Sequence, residues 1–194
     1  MISRFLSFIK EHQLFVPGDR ILLAVSGGID SMVMWHLFES AGLNYSVTHC
    51  NFQLRGEESD LDEELVRCVA AEKKTGLFVK HFETLDYAKA KGISVEMAAR
   101  ELRYGWFDSL RVKENFAAVA TAHHQDDLIE TFFINLVRKT GIRGMTGFRE
   151  KSGTLVRPML FTNRKEIQGW AGKHAVPFRQ DSTNNEIVFQ EREY

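Results

Sequence analysis

Cysteine is scarce in this sequence, and long apolar runs are absent from it. The 194 residues include two cysteines, Cys50 and Cys68, whose spacing fits neither a metal site nor a redox pair. No stretch approaches the ~18 apolar residues of a membrane span, and Met1–Lys10 lacks the uninterrupted apolar region of a signal peptide. With 44% hydrophobic residues, the chain is expected to form one globular domain in the reduced cytoplasm, with no membrane partner.

A strong net charge is also missing. The formal net charge is −1, which by itself suggests no nucleic-acid partner. The charges are nevertheless unevenly distributed, because ten lysines and arginines stand against two acids between Arg138 and Arg179. This segment therefore carries +8 and the remainder of the chain −9. Such asymmetry hints at a half that binds a polyanion, and the alternative is a basic surface that is merely solvated.

A loop with the sequence SGGIDS, Ser26–Ser31, separates two apolar stretches. Residues 21–25 precede it and residues 32–38 follow it, so a strand is predicted to enter the loop and a helix to leave it. The two glycines permit the close approach of a ligand, and the start of a helix favours an anion. The SGGIDS loop is therefore predicted to bind phosphate.

The SGGIDS loop contains an aspartate and no lysine. It matches neither the Walker A pattern, which needs a lysine, nor the G-x-G-x-x-G pattern of dinucleotide sites. An acid such as Asp30 next to phosphate is repulsive unless a cation intervenes, so Mg²⁺ is implied. The alternative is a glycine-rich turn in which Asp30 caps the following helix.

Strands and helices are predicted to alternate along the first 140 residues. Apolar runs predict strands at Arg20–Val25, Asn44–His49, Leu77–Phe82 and Ala117–Thr121. Helical periodicity predicts helices at Met1–Gln13, Ile29–Ser40, Glu58–Thr75, Ser94–Lys113 and Asp126–Lys139. The alternation indicates an α/β fold with a doubly wound, Rossmann-like parallel sheet of about five strands flanked by helices. From about residue 140, a hairpin within Phe148–Leu155 and a helix near Asn163–His174 are predicted as a basic extension of the same domain.

A second polar segment, Thr121–Asp127, follows the fourth predicted strand. Ligands bind beyond the carboxyl ends of parallel strands, so this segment, Ser26–Ser31 and His49–Asn51 are expected to converge on one site. Its acids and histidines could hold Mg²⁺ or remove a proton from an amine. Zinc is conceivable, although His123 and His124 are adjacent and point in different directions. The structural alternative is a pair of helix-capping acids beside a packed histidine. The buried side of the following helix is predicted to consist of Leu128, Ile129, Phe132, Phe133, Leu136 and Val137.

Both polar segments resemble motifs of a known family. Ser26–Ser31 matches the S-G-G-x-D-S signature of the PP-loop ATP pyrophosphatases, and Thr121–Thr131 resembles the A-H-H-x-D-D-x-x-E-T pattern of the tRNA(Ile)-lysidine synthases among them. Further blocks in the same order resemble these synthases at His49–Arg55, Ala99–Tyr104, Lys139–Gly147, Arg157–Leu160 and Asp181–Asn184. Phe52 and Lys139 replace a histidine and an arginine of the family pattern. The likeness covers about Ile21–Asn184.

The resemblance implies an adenine nucleotide alpha hydrolase-like fold and a ligase that uses ATP and Mg²⁺. Such enzymes attach free L-lysine to C2 of the wobble cytidine in the CAU anticodon of tRNA(Ile). The cytidine is first adenylated with release of pyrophosphate, and the lysine amine then displaces AMP. The implied partners are the anticodon loop of tRNA(Ile) and lysine, the implied location is the cytoplasm, and the oligomeric state stays open, a homodimer included.

Binding roles follow for the first motif on this resemblance. The residues predicted to bind ATP are Ser26, Gly27, Gly28, Ile29, Asp30 and Ser31. Asp30 and Asp126 are predicted to hold Mg²⁺, because carboxylate oxygens and phosphate oxygens are the ligands that this ion prefers.

Catalytic roles follow for four residues, Asp30, Arg100, His123 and Asp127. Arg100 is predicted to neutralise the charge that develops at the α-phosphate. The lysine amine must lose a proton before it attacks, since its ordinary pKa is about 10.4. Asp127 is predicted to accept that proton, with His123 and Glu130 as alternatives.

The end of the sequence departs from the family pattern. An Arg-Asn-Arg stretch is expected after the last block, whereas Phe189 is followed by Gln190–Tyr194. Long family members continue into further domains that help to hold tRNA, and we expect residues 1–194 to be one N-terminal-type catalytic domain without them. A fragment, a divergent end and a short-form enzyme all stay open.

Two rival functions come from different classes. One is another PP-loop tRNA-modifying activity, thiolation, which is disfavoured because Cys50 and Cys68 form no C-x-x-C pair. The other is a nucleotide-binding module without catalysis, in which the acid-rich second segment would have no obvious role.

Overall fold

The computed structural model describes residues 1–137 and 149–180 and shows a six-stranded sheet with helices on both faces. The strands are β1 (Ile21–Ala24), β2 (Tyr45–Asn51), β3 (Leu77–His81), β4 (Ala118–Ala120), β5 (Lys151–Ser152) and β6 (Leu155–Val156). The helices are α1 (Ile2–Glu11), α2 (Ile29–Ser40), α3 (Glu57–Glu72), α4 (Thr84–Lys91), α5 (Val95–Lys113), α6 (Gln125–Val137) and α7 (Arg164–His174).

The strand order is β3-β2-β1-β4-β6-β5, and all neighbouring strands are parallel except β5 and β6. At the centre, Leu23 lies opposite Val47 on one side and Ala120 on the other. The chain builds outward from β1 through β2 to β3 and then crosses to β4, so the strand order reverses between β1 and β4. The predicted doubly wound α/β fold is confirmed, with six strands instead of about five.

The central strand β1 is buried from both faces of the sheet. Leu22 and Leu23 point to opposite faces, as successive residues of a strand must. Leu23 belongs to a large core shared with α1, α2, α3 and α7, whereas Leu22 packs against Phe107 and Leu110 of α5. A continuous apolar run is what a parallel strand covered on both faces requires.

Helix α2 is buried on most of its circumference. The buried apolar residues are Met32, Val33, Met34, Trp35, Leu37 and Phe38. Trp35 also donates a hydrogen bond from Nε1 to Tyr45 Oη at 3.1 Å. Burial of one large apolar side chain stabilises a fold by about 1.5–3 kcal/mol. The SGGIDS loop therefore lies between a buried strand and a buried helix that fix both of its ends.

Helix α6 differs from its prediction. Ile129 is 56% exposed and Phe133 is 57% exposed, and Phe132 and Leu136 are exposed as well. The prediction of a buried apolar side is therefore wrong for these four side chains. The first turn of α6 is held by the hydrogen bond from His124 N to Asp127 Oδ2, whereas Phe132, Phe133 and Leu136 of its later turns are exposed.

The described part of the basic extension, from residue 149, includes the predicted hairpin. β5 and β6 pair antiparallel, and the turn falls at Gly153–Thr154, inside the predicted range Phe148–Leu155. Gly153 adopts φ +60°, a conformation that glycine reaches without strain. β6 also pairs with β4 in parallel, so the hairpin is the edge of the main sheet and not a separate unit.

Some predictions fall on other parts of the chain. The blocks Lys139–Gly147 and Asp181–Asn184 and the end Gln190–Tyr194 lie outside the described residues. Within the described ranges, no helix is long and apolar enough to cross a membrane.

Candidate active site

A cavity of about 710 Å³ opens at the carboxyl ends of β1, β2 and β4. Its walls include Ser26, Gly28, Ile29, Asp30 and Ser31 of the SGGIDS loop and Thr121, Ala122, His123 and Asp127 of the second polar segment. Thr48, Cys50 and Phe52 supply a third wall. The three predicted segments therefore converge, although in the β2 segment His49 and Asn51 are buried on the other side of the strand.

The SGGIDS loop is folded by hydrogen bonds among its own residues. Ser31 Oγ donates to Gly28 O at 2.9 Å and accepts from Ser26 N at 3.1 Å. Gly27 adopts φ +96°, and a Cβ there would lie 3.3 Å from Asp62 Cβ in α3. Both the conformation and the close approach to α3 disfavour a larger residue at this position. Gly28 is the N-cap of α2, so the loop ends at the start of a helix, as predicted.

Asp30 lies in the first turn of α2 and faces the cavity. Burial raises the pKa of its carboxyl group, while the charges of His124 and Arg164 act in the opposite direction. Arg164 Nη2 lies 3.4 Å from Asp30 Oδ2. Asp30 Oδ1 is buried and takes no hydrogen bond from the residues that the structure describes. His124 Nε2 lies 3.5 Å from this oxygen, so the capacity of Oδ1 to accept a hydrogen bond or a cation is unused among the described residues.

His124, which the sequence argument did not single out, lies between the two motifs. Its side chain is 2% exposed. Its Nε2 atom lies 3.5 Å from Asp30 Oδ1, and its Nδ1 atom lies 3.3 Å from Asp126 Oδ2. The imidazole ring therefore separates the carboxylate of α2 from the carboxylates at the start of α6. The two motifs thus meet at this buried ring, whose nitrogens make no hydrogen bond with the residues that the structure describes.

Asp126 and Asp127 both accept hydrogen bonds from backbone N–H groups at helix starts. Asp127 Oδ2 accepts from His124 N at 2.8 Å, in the manner of a capping box. Asp126 Oδ2 accepts from Arg164 N at 2.7 Å, the first residue of α7. The structural alternative for these acids is therefore present in the molecule. Asp127 also lines the cavity, so capping does not remove it from the site.

The donor set fits a magnesium ion shared between one carboxylate and phosphate. Mg²⁺ typically keeps several waters and binds one or two carboxylates together with substrate phosphates. The orphaned Oδ1 of Asp30 suits that arrangement. The Asp126 carboxylate is separated from Asp30 by the His124 ring and accepts a hydrogen bond from Arg164 N of α7. Coordination of Mg²⁺ by Asp126 therefore stays a prediction. In residues 1–137 and 149–180, no group of three or more His, Cys, Asp or Glu side chains is placed to hold a metal.

His123 lines the cavity and is neutral at physiological pH. Its Nδ1 atom lies 3.0 Å from Thr121 Oγ1. Burial is the main cause that lowers its pKa to about 4, and the charges of Arg157, Arg103 and Arg100 act in the same direction. A neutral imidazole can both accept and donate a hydrogen bond, so His123 is able to contact a substrate group in either sense.

The two arginines of the A-R-x-x-R-Y block have different positions. Arg103 lines the cavity, with its guanidinium 5.1 Å from the centroid of the Phe52 ring. Arg100 is outside the cavity lining and lies 5.1 Å from the ring centroid of Tyr104. Its charge is still felt by His123, so Arg100 is near the site without forming its wall.

Two further cavity residues, Arg164 and Arg179, come from the basic half. The charge asymmetry of the sequence pointed to that half as a whole, but no local motif marked these two positions. Their contacts with the SGGIDS loop and α3 span more than 100 residues of sequence. Only the folded chain brings them to the site.

The sheet, the loop and the cavity define a doubly wound α/β domain with its site at the topological switch point. The family model described as a PP-loop domain matches residues 1–194. The chain therefore belongs to the PP-loop family of ATP-binding domains.

Three curated relatives carry one name. The tRNA(Ile)-lysidine synthase of Bacteroides thetaiotaomicron is 44% identical over 184 residues, which cover 95% of this chain and 43% of the relative. That of Parabacteroides distasonis is 42% identical, and the match covers 95% of this chain and 42% of the relative. That of Chlorobaculum tepidum is 40% identical, and the match covers 96% of this chain and 58% of the relative. The chain thus spans about half the length of these relatives.

Solved structures show the same fold at low identity. The U34-tRNA thiolase NcsA from Methanococcus maripaludis matches with a TM-score of 0.73 and 15% identity, over 92% of this chain and 65% of that chain. The NMN synthetase from Francisella tularensis matches with a TM-score of 0.63 and 14% identity, over 91% and 70%. At such identities the likeness concerns the fold alone.

Proposed function

We propose that this chain is the catalytic domain of a tRNA(Ile)-lysidine synthase, which ligates lysine to C2 of the wobble cytidine while ATP becomes AMP and pyrophosphate. The observation that carries the proposal is the cavity, because it joins the SGGIDS loop to His123 and Asp127 of the second motif. The two-step reaction needs a site that binds ATP and an acid–base group beside that site. Relatives of that name at 40–44% identity support the assignment.

The SGGIDS loop would hold the β- and γ-phosphates of ATP. Backbone N–H groups of Gly27 and Gly28 and the start of α2 suit an anion, and the hydroxyl groups of Ser26 and Ser31 add donors. Ser31 Oγ donates to Gly28 O in this structure, so its hydroxyl hydrogen must turn to reach a phosphate. Asp30 would hold Mg²⁺, which when bound neutralises phosphate charge.

The first chemical step places charge on the α-phosphate. We assign its neutralisation to the α5 arginines, with Arg103 at the cavity wall and Arg100 one turn before it. Removal of one well-placed electrostatic group costs a reaction of this kind several kcal/mol in its barrier.

The second step requires an unprotonated lysine amine. Free lysine has a pKa of about 10.4, so a positioned acceptor must take a proton before the amine attacks C2. Asp127 lines the cavity, and its Oδ2 atom accepts a hydrogen bond from His124 N. Its carboxylate is our candidate for the proton acceptor. His123 is neutral because burial lowers its pKa to about 4, so it can orient the amine. Glu130, exposed on α6, is the remaining candidate.

The basic half would contact tRNA(Ile). Among the described residues of that half, Arg149, Lys151, Lys165 and Lys173 are exposed. Contacts of such side chains with RNA phosphates release counterions, so binding should weaken as the salt concentration rises. The cytoplasm, where tRNA and ATP meet, is the corresponding location.

The test is incubation of the chain with labelled lysine, ATP, Mg²⁺ and a tRNA(Ile) transcript that carries a CAU anticodon. Label should enter the tRNA in step with AMP and pyrophosphate. Asp30→Ala and Asp127→Ala should each abolish incorporation while far-UV circular dichroism stays that of the folded protein. Transfer of sulfur in place of lysine would refute the function, and activity retained in both variants would refute the site.

The cysteines argue against thiolation as the alternative. Cys50 lines the cavity, but burial raises the pKa of its thiol to about 12. A thiol that stays protonated is a poor nucleophile and a poor metal ligand. Cys68 is exposed on α3 and does not line the cavity.

A further inference from the structure

The segment that follows α7 lies against the SGGIDS loop. Arg179 N donates to Gly27 O at 3.0 Å, and Gly28 and Arg179 form a parallel β-bridge. Phe178, Arg179 and Gln180 also line the cavity. Backbone from the far end of the described chain is thus fixed directly on the two loop glycines.

Asp62 of α3 holds the side chain of Arg179. Arg179 Nε donates to Asp62 Oδ1 at 3.0 Å, and Arg55 Nη2 donates to Asp62 Oδ2 at 2.8 Å. The Asp62 side chain is 14% exposed, so solvent screens these contacts less than it screens surface pairs. Asp62 also lies directly beneath Gly27. The loop, α3 and the segment after α7 therefore meet at one point.

This contact uses only part of the guanidinium group. Within residues 1–137 and 149–180, the side-chain hydrogen bond of Arg179 is the one from Nε, and its terminal amino groups make none. Arginine presents its donors in a planar fork. A guanidinium anchored through Nε therefore keeps both terminal amino groups for an anion. The fork fits carboxylate and phosphate in bidentate fashion, and the adjacent SGGIDS loop at the start of α2 favours phosphate of the two.

The SGGIDS loop needs a cation that it does not contain. Among the described residues, Arg103, Arg164 and Arg179 are the arginines that line the cavity. Arg164 is directed to the Asp30 carboxylate, and Arg103 lies over the ring of Phe52. Arg179 differs from both because its own backbone is bonded to the loop. Because the SGGIDS loop is proposed to hold the outer phosphates of ATP, the hydrogen bond from Arg179 N to Gly27 O would place Arg179 beside them.

We propose that Arg179 binds pyrophosphate in this site. Its terminal amino groups hold the β- and γ-phosphates of ATP and then the released pyrophosphate. Asp62 is a positioning residue, which keeps the guanidinium over the loop through Nε. The inference rests on the proposed ATP-to-AMP chemistry, but it concerns a binding step that can be measured without lysine or tRNA.

The test is calorimetric titration of the whole chain with pyrophosphate in the presence of Mg²⁺. Arg179→Gln should weaken binding at least about 10-fold, the loss expected when a charge-assisted hydrogen bond is removed. Arg179→Lys keeps the charge but not the fork and should weaken binding about 3- to 10-fold. The matched control is Arg111→Gln, since Arg111 pairs with Asp108 on α5 away from the cavity. Its affinity should stay within about twofold of the wild type.

A double-mutant cycle separates positioning by Asp62 from a general structural role. Asp62→Asn should weaken pyrophosphate binding several-fold in the wild type and have no further effect in Arg179→Gln, because the two residues act as a unit. Additive effects would refute the positioning role. Unchanged affinity in a folded Arg179→Gln would overturn the proposal, and if that variant does not fold, wild-type affinity in Arg179→Lys would overturn it.

The two proposals fail in different ways. A wild type that binds pyrophosphate through Arg179 but transfers no lysine would refute the lysidine synthase function and support this inference. If the wild type transfers lysine but Arg179→Gln binds pyrophosphate with unchanged affinity, the lysidine synthase function is supported and the role of Arg179 is refuted.

Discussion

Glu63 is a buried carboxylate outside the cavity, and Glu63→Gln should destabilise the protein. The residue is 8% exposed on α3. Its carboxylate accepts from Asn51 Nδ2 at 3.0 Å and from Arg67 Nε at 2.8 Å, and it lies 2.6 Å from His81 Nε2. Burial alone would favour the neutral acid, but these hydrogen bonds outweigh it and lower the pKa of Glu63 to about 2. The carboxylate therefore ties α3 to the carboxyl ends of β2 and β3.

The magnitude follows from that pKa. A fall from 4.5 to about 2 corresponds to about 3 kcal/mol at roughly 1.4 kcal/mol per pH unit. Glu63→Gln loses this stabilisation and places an amide N–H₂ among hydrogen-bond donors. The free energy of unfolding at pH 7 should thus fall by about 3 kcal/mol, and Tm by roughly 6–12 °C for a chain of this size.

The pH dependence has a definite sign. The folded-state pKa of Glu63 lies below the unfolded value of 4.5, so its stabilisation is complete above pH 4.5 and is lost as the pH falls towards 2. The difference in the free energy of unfolding between the wild type and Glu63→Gln should therefore decrease as the pH falls from 4.5 towards 2.

Urea unfolding of both proteins at pH 7, 4 and 3, followed by far-UV circular dichroism, measures this difference. Glu64→Gln is the matched control, since Glu64 is exposed on the same helix, and it should change stability by no more than about 0.5 kcal/mol. Equal stability of Glu63→Gln and the wild type at pH 7 would refute this role of Glu63. A stability difference at pH 3 as large as that at pH 7 would refute it as well.

Three further predictions concern the cavity. Gly27→Ala should cost about 1–3 kcal/mol of stability by thermal melting, because φ is +96° and α3 lies 3.3 Å from the new Cβ; Gly105→Ala, in a helix with open space around it, should be neutral or stabilising. Iodoacetamide at pH 8 should alkylate the exposed Cys68 and spare Cys50, whose pKa burial raises to about 12; equal labelling by peptide mass spectrometry would contradict this. The ring of His123 should titrate by NMR with a pKa of about 4, and an inflection near 6.5 would show that it is not buried as described.

The long elements of the fold could be predicted because their signals are local. The predicted bounds of Ile29–Ser40 equal those of α2. Ser94 was the expected start of its helix, and its side chain accepts from Met97 N at 3.2 Å. Capping and apolar periodicity are fixed by a few neighbouring residues, so the sequence contains them in full.

Short and edge elements depend on distant partners instead. β6 is two residues long, and it is a strand because Leu155 and Val156 pair with Val119 and Ala120 of β4. Helix α4 has eight residues, half of them polar, too few for a clear period. The apolar residues of α6 predicted a buried side, but burial depends on which neighbour covers a helix, and composition does not specify that neighbour.

In the site, too, features set by neighbouring residues could be predicted, and features set by distant partners could not. The SGGIDS loop and Asp127 could be found because each motif is contiguous in sequence. His124 could not be separated from His123 by adjacency, and only the structure shows that one ring is buried between carboxylates while the other faces the cavity. Arg179 reaches its place through a contact with Asp62, 117 residues earlier in the chain.

Capping and chemistry are not exclusive explanations for Asp127. Its Oδ2 atom accepts from His124 N at 2.8 Å while the residue lines the cavity, so Asp127→Ala removes a helix contact and a charge together. Asp127→Asn keeps an oxygen that can accept from the same N–H and loses only the charge. If Asp127 accepts the lysine proton, the asparagine variant should keep wild-type stability and pyrophosphate binding yet lose lysine transfer as fully as the alanine variant. If asparagine restores transfer, the carboxylate acts through the fold, and the base must be sought at Glu130 or His123.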